Sequence, residues 1–200
     1  MKTNVDPTSI AYINRLVASS RPFLRINQAE RLDWRRVMKD PKNRRNGPWK
    51  YRAEFDVLDD KTWSQTGEVL YFVVDSHDRL KLVGQSAKRL KGRWKTVPMF
   101  DINTQAPLNM HSLFHTSAWP AMEAGFNIGS GKQFTVRAIF RNDLERECRA
   151  MGGPFLAILE IPETDLQRLS YHVEQWVCSL TDPDLCLWNK QGVIRNTKLH

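Results

Sequence analysis

The residues best able to do chemistry in this chain are its cations, and they are unevenly spread. Between Arg31 and Arg52 nine Lys/Arg stand against two Asp, a local charge of +7. Between Arg79 and Lys95 seven Lys/Arg stand against no acid, again +7. The whole 200-residue chain carries only +8, so everything outside those segments sums to −6. Segregated charge of one sign repels itself, and a polyanion lying over it relieves that repulsion. In PKNRRNGPWKYR, Arg44, Arg45, Lys50 and Arg52 are interleaved with Trp49 and Tyr51. Such a mixture neutralises phosphates while rings stack on exposed bases; a surface loop whose Trp49 packs on the core fits the same residues. Lys81, Lys88, Arg89 and Lys91 form a second cationic run. Nucleic acid is the expected partner.

Other groupings are weaker. His111 and His115 stand four apart, the spacing that puts two imidazoles on one helix face for a metal ion, but no third ligand lies close in sequence. Gly125, Gly129 and Gly131 lack the Lys-Ser/Thr pair of a phosphate-binding loop. Cys148, Cys178 and Cys186 are odd in number and show no Cys-x-x-Cys spacing. They argue against a disulfide framework and against a zinc knuckle, and for a reducing cytoplasm. With 41% hydrophobic residues and seven Trp the chain can build a core. No apolar run has the length of a membrane span, and MKTNVDPTS lacks the apolar centre of a signal peptide, so no membrane partner is expected.

Hydrophobic periodicity supplies the elements that must hold these residues. Ile10, Ile13, Leu16 and Val17 recur at helical spacing after Asp6-Pro7. Asn27 with Glu30 resembles a capping box opening a second helix that ends before Pro41. Glu54 to Leu58 reads as a strand. Val69 to Val74 is the unbroken β-branched and aromatic run of a strand buried on both faces. Asp75 to Asp78 supplies turn residues, and Leu80 and Leu82 alternate with Lys81 in a returning strand that Gly84 ends. A basic helix start follows, then a long stretch of little periodicity from Thr96 to Ile128. Phe134 to Phe140 alternates as a strand with Arg137 on its polar side. A short helix to Met151 is stopped by Gly152-Gly153-Pro154, and Phe155 to Ile161 reads as another buried strand. From Pro162 onward Leu166, Leu169, Val173, Trp176, Val177 and Leu180 form the apolar stripe of a helix, with Glu174 about 100° to one side, at the rim of a surface.

The order of these pieces resembles the GIY-YIG nuclease superfamily. There, one strand bears Gly-Ile-Tyr and the next closes on Tyr-Ile-Gly; a helix with an Arg, a third strand, a helix with one Glu and a final Asn follow. Here Val69-Leu70-Tyr71 stands for the first motif and Leu82-Val83-Gly84, continued by Gln85-Ser86, for the second. Arg93 in LKGRW matches the Arg, FLAILEI the third strand, Glu174 in HVEQWV the Glu and Trp188-Asn189 the Asn. The match spans residues 67–94 and 155–190. Leu82 replaces the second Tyr, the first motif lacks its Gly, and the distance from Arg93 to Glu174 implies an insertion.

The resemblance implies an α+β fold, a small antiparallel three-stranded sheet flanked by helices. A helical, basic N-terminal extension would occupy residues 1–60, and a nuclease-like domain residues 61–200, with its insertion at about 96–153. It implies a divalent-metal-dependent DNA endonuclease of restriction or mobile-element type, acting on double-stranded DNA with Mg2+ or Mn2+. Glu174 would be the metal carboxylate, Arg93 the clamp on the scissile phosphate, and Asn189 a support for the site. Tyr71 would orient the attacking water, with His111 or His115 in place of the missing Tyr. Palindromic cutting would favour a homodimer. The alternative is a GIY-YIG-like scaffold that has lost catalysis and binds or regulates nucleic acid.

Overall fold

The computed structural model of the chain describes residues 6–33, 49–87, 90–91, 99–100, 126, 133–161, 166, 168–180 and 189, with the backbone alone at 30–33, 49–53 and 99–100. In chain order the elements are helix α1 (Pro7–Ser19), strands β1 (Arg21–Asp33) and β2 (Trp49–Val57), helix α2 (Asp60–Ser64), and strands β3 (Val69–Asp75), β4 (Leu80–Ser86), β5 (Met99–Phe100) and β6 (Phe134–Phe140). Helices α3 (Arg141–Met151), α4 (Gly153–Ile158) and α5 (Leu169–Ser179) follow. The strands form one sheet in the order β4-β3-β6-β1-β2-β5, every pair antiparallel.

The α+β class agrees with expectation; the sheet does not. It has five long strands and the two-residue β5, rather than three. The residues taken for a second helix begin inside β1. Leu24 and Ile26 alternate with Arg25 and Asn27 at period two, and β1 pairs with β6 on one side and β2 on the other. Pairing on both sides outweighs a local capping pattern. The sheet therefore runs across residue 60, joining β1 and β2 to β6 and β3. FLAILEI is likewise no strand but lies mostly in α4. Gly152 takes φ +82 and Pro154 sits in the first turn, where its fixed φ favours a helix and its missing N–H costs nothing. A continuous apolar run cannot by itself separate a buried strand from a buried helix.

The sheet has two apolar faces. Leu70, Phe72, Val74, Val83 and Ile139 point to one, where Ile13 and Leu16 of α1, Leu144 and Cys148 of α3, Phe155 of α4, and Val173 and Val177 of α5 cover them. Val69, Tyr71, Val73, Leu82, Val136 and Ala138 point to the other, with Phe23, Trp63 and Leu90. Every residue of β3 is buried, as its unbroken apolar run requires.

Polar side chains fasten the layers. Asp6 caps α1 through the Thr8 N–H at 3.1 Å. At its other end Arg137 of β6 donates to the Val17 carbonyl at 3.0 Å, the Ser20 hydroxyl at 3.1 Å and the Ser20 carbonyl at 2.6 Å. A guanidinium is suited to the negative end of a helix, where carbonyls lack partners. Among the described residues no helix is long and apolar enough to cross a membrane.

Candidate functional site

The β3–β4 hairpin is the centre of the candidate site, and its turn is built by Asp75. This carboxylate, 4% exposed, accepts the His77 N–H at 2.9 Å and the Arg79 N–H at 3.1 Å. The Arg79 guanidinium lies 2.8 Å from it and the Lys81 amine 3.5 Å. Burial acts to raise the Asp75 pKa, yet the two N–H donors, the Arg79 guanidinium and Lys81 outweigh it and hold the group below its ordinary value. Asp78 at φ +56 completes the turn, a conformation that Asp tolerates. Lys81, expected on a nucleic-acid surface, is thus paired inside the hairpin and 15% exposed.

Tyr71 is fully buried in β3. Its neighbours in register are Gly84 on β4 and Ala138 on β6, two small residues flanking a large ring. Gly84 therefore does not end the strand; it lies within β4, opposite Tyr71. Leu82 is buried on the same face, as is Leu90, in the one described helical turn of the basic segment. Leu90 thus anchors that segment over the Tyr71 face, with Lys91 beside it exposed.

Helix α5, carrying Glu174, packs on the opposite face. Its N-terminus is held by a residue far away in sequence: Glu68, just before β3, accepts the Ser170 N–H at 3.2 Å and the Ser170 hydroxyl at 2.5 Å. The other Glu68 oxygen lies 3.7 Å from Arg141. Ser170, Glu174 and Cys178 form one column at i, i+4, i+8. Glu174 is only 8% exposed, against the expectation of a surface rim. The helix is enclosed beyond its apolar stripe, so the neighbouring column is covered too. Burial, and secondarily the Glu174 charge one turn away, push the Cys178 thiol up to about 12. Burial does the same to Cys148, with Glu147 and Glu145 adding to it. Neither thiol is a nucleophile at neutral pH.

Asn189 lies against the outer side of β4. Its Oδ1 accepts the Val83 N–H at 3.1 Å and its Nδ2 donates to the Val83 carbonyl at 2.8 Å. One primary amide thus stands in for a neighbouring strand.

Of the residues expected at the site, then, Tyr71, Glu174 and Asn189 are gathered around β4: Tyr71 on one face, the Glu174 helix on the other, Asn189 along the edge between them. Arg93, His111, His115, Arg44, Arg45, Lys88 and Arg89 lie outside the described residues, and of Trp49, Lys50 and Arg52 only the backbone, in β2, is described. Sequence reasoning missed Glu68, and it read Asp75 only as a turn residue and Arg137 only as a polar strand position, without the partners that the fold gives them. Their signal was weak, for each is a single polar residue beside or within an apolar run, with its partners set by the fold. Among the described residues no three His, Cys, Asp or Glu cluster as a metal site. No family model, no curated protein and no solved structure matches the chain.

Proposed function

We propose that the protein is a divalent-metal-dependent DNA endonuclease whose site wraps around the β4 edge. The supporting observation is Glu174, a carboxylate buried in a helix that packs on the β3–β4 hairpin. Buried ionisable side chains cluster at functional sites, where the surrounding fold holds them in fixed geometry. The donor fits the ion: Mg2+ and Mn2+ take oxygen ligands, and Mg2+ keeps several waters while binding through one or two carboxylates and substrate phosphate. A bound ion would supply charge neutralisation at the phosphate and a lowered pKa for water. Glu174 would hold it, Arg93 would clamp the scissile phosphate bidentately, and the cationic segments would track the duplex backbone. Asn189, with both amide groups on Val83, would fix the tail against the hairpin rather than touch substrate.

A binding protein without catalysis is the second reading, favoured by Leu82. A buried Leu on the Tyr71 face cannot move a proton, and Tyr71 itself lies inside the sheet. Incubation with a library of random duplex DNA in Mg2+ or Mn2+ separates the two. Metal-dependent ends that vanish in Glu174→Gln, with duplex binding retained, support the nuclease. Salt-sensitive binding with no cleavage by wild type supports the second reading and removes the first.

A further inference from the structure

The opposite end of the sheet has a different character. Strand β5 covers β2 only at Trp49 and Lys50. From Glu54 to Val57, β2 has no strand on its outer side among the described residues. The bond from the Leu58 N–H to the Phe23 carbonyl, 2.9 Å, fixes the alternation of the β1–β2 ladder. Phe23 and Leu58 form a hydrogen-bonded pair, and so do Arg25 and Asp56, leaving the backbone groups of Phe55 and Val57 directed outward. The same residues expose apolar side chains: Phe55 is 37% exposed, Val57 36% and Leu58 39%. Phe55 is seated on Trp63, ring centroids 5.9 Å apart.

An open edge bearing apolar residues is a template for another strand, and native sheets usually blunt it with Lys, Pro or a cover. Here the blunting is of the wrong sign for this chain. Glu54, Asp56, Asp59 and Asp60 give residues 54–60 a charge of −4 within a protein of +8. Counting Arg25, opposite Asp56 in register, and the exposed Lys61 still leaves −2. A second copy pairing through this edge would set Glu54 and Asp56 against their own equivalents, and like charges directly opposed across strands are destabilising. A strand whose cations alternate with apolar residues meets both features at once.

We infer that the outer edge of β2 from Glu54 to Leu58 docks an extended basic segment of a partner protein, which joins the sheet as a further strand. Its backbone pairs with Phe55 and Val57, its apolar side chains lie beside Phe55 and Val57, and its cations meet Glu54 and Asp56 on the opposite face. The mode is strand addition, in which main-chain bonds give affinity and alternate side chains give specificity.

The test measures fluorescence anisotropy of a short labelled peptide alternating Lys and Val, and of its Glu–Val counterpart, with the full chain. The Lys–Val peptide should bind, more weakly as salt rises, and the Glu–Val peptide should not. Val57→Pro removes an outward N–H and leaves the β1 ladder intact, so it should weaken binding about tenfold with an unchanged far-UV spectrum. Glu54→Lys with Asp56→Lys should reverse the preference between the peptides. Failure of the Lys–Val peptide to bind, equal binding of both peptides, or full affinity in Val57→Pro overturns the inference. So does a wild-type dimer that Val57→Pro dissociates, for the occupant would then be a second copy.

Discussion

The two ends of the sheet solve the same problem in opposite ways. Both β4 and β2 are strands with backbone groups facing away from the sheet, and both place a valine at such a position. At β4 the valine is Val83, fully buried, its N–H and C=O taken by Asn189. At β2 it is Val57, 36% exposed, with no such cover among the described residues. The β4 end is also where helices, hairpin turn and tail converge, and where the sheet holds buried charge in Asp75 and Glu174. A sheet edge surrounded on three sides is rigid enough to hold groups in fixed geometry. An open one can only offer itself to a partner. Both proposals rest on this difference, chemistry at the closed end and docking at the open one.

The largest expected effect at the closed end concerns Asp75. Asp75→Asn keeps the shape but removes the charge that faces Arg79 and Lys81, and should cost about 2–3 kcal/mol in urea denaturation. The pH dependence carries a definite sign. The folded pKa of Asp75 is depressed below 3.8, so its contribution is fully present above that value and is lost as pH falls through the folded pKa. The variant should therefore show a flatter acid limb than wild type. An unchanged limb would mean that Asp75 does not hold the hairpin.

Much of this contrast was legible in the sequence and some was not, for physical reasons. The β3 run and the Asp75 turn are local patterns, and each formed where expected; the stripe expected from Pro162 onward is helical only from Leu169, because Arg168 at φ +58 opens α5 and Leu166 lies before it. Leu82 already marked the Tyr71 side as altered. What failed were segments whose state depends on partners elsewhere. Arg21–Asp33 becomes a strand because β6 and β2 lie on either side of it, and β6 is more than a hundred residues away in sequence. FLAILEI is apolar except for Glu160 and so carries no period to read. Glu174 was placed at a rim because an amphipathic wheel sees one helix; its burial comes from what packs on the adjoining column. Asn189 could be matched to a motif, but nothing local showed that its amide would span Val83.

Smaller effects sharpen the comparison. Val83→Thr puts a hydroxyl into the buried apolar cluster on the helix-covered face, and should cost about 1–3 kcal/mol. Asn189→Ala removes two hydrogen bonds from an edge that water can then reach, so the expected cost is near 1 kcal/mol. Hydrogen exchange gives it a sharper signature: the Val83 amide should lose protection while its neighbours bonded to β3 keep theirs. Uniform loss along β4 would show that Asn189 stabilises the whole strand rather than one residue of its edge.

The smallest expected effect is the matched substitution at the other edge, Val57→Thr. The two residues are β-branched and nearly equal in volume, so strand geometry is preserved. At Val83 the added hydroxyl is trapped against Leu70 and Phe72 and the helices; at Val57 it can turn to water, and the change should stay within about 0.5 kcal/mol. If Val57→Thr is instead as costly as Val83→Thr, the β2 edge is covered in solution, and the difference between the two ends disappears. If it is silent in stability but weakens the Lys–Val peptide, the same small change separates the two uses of an edge strand: one valine belongs to the core, and the other to a surface that waits for a strand.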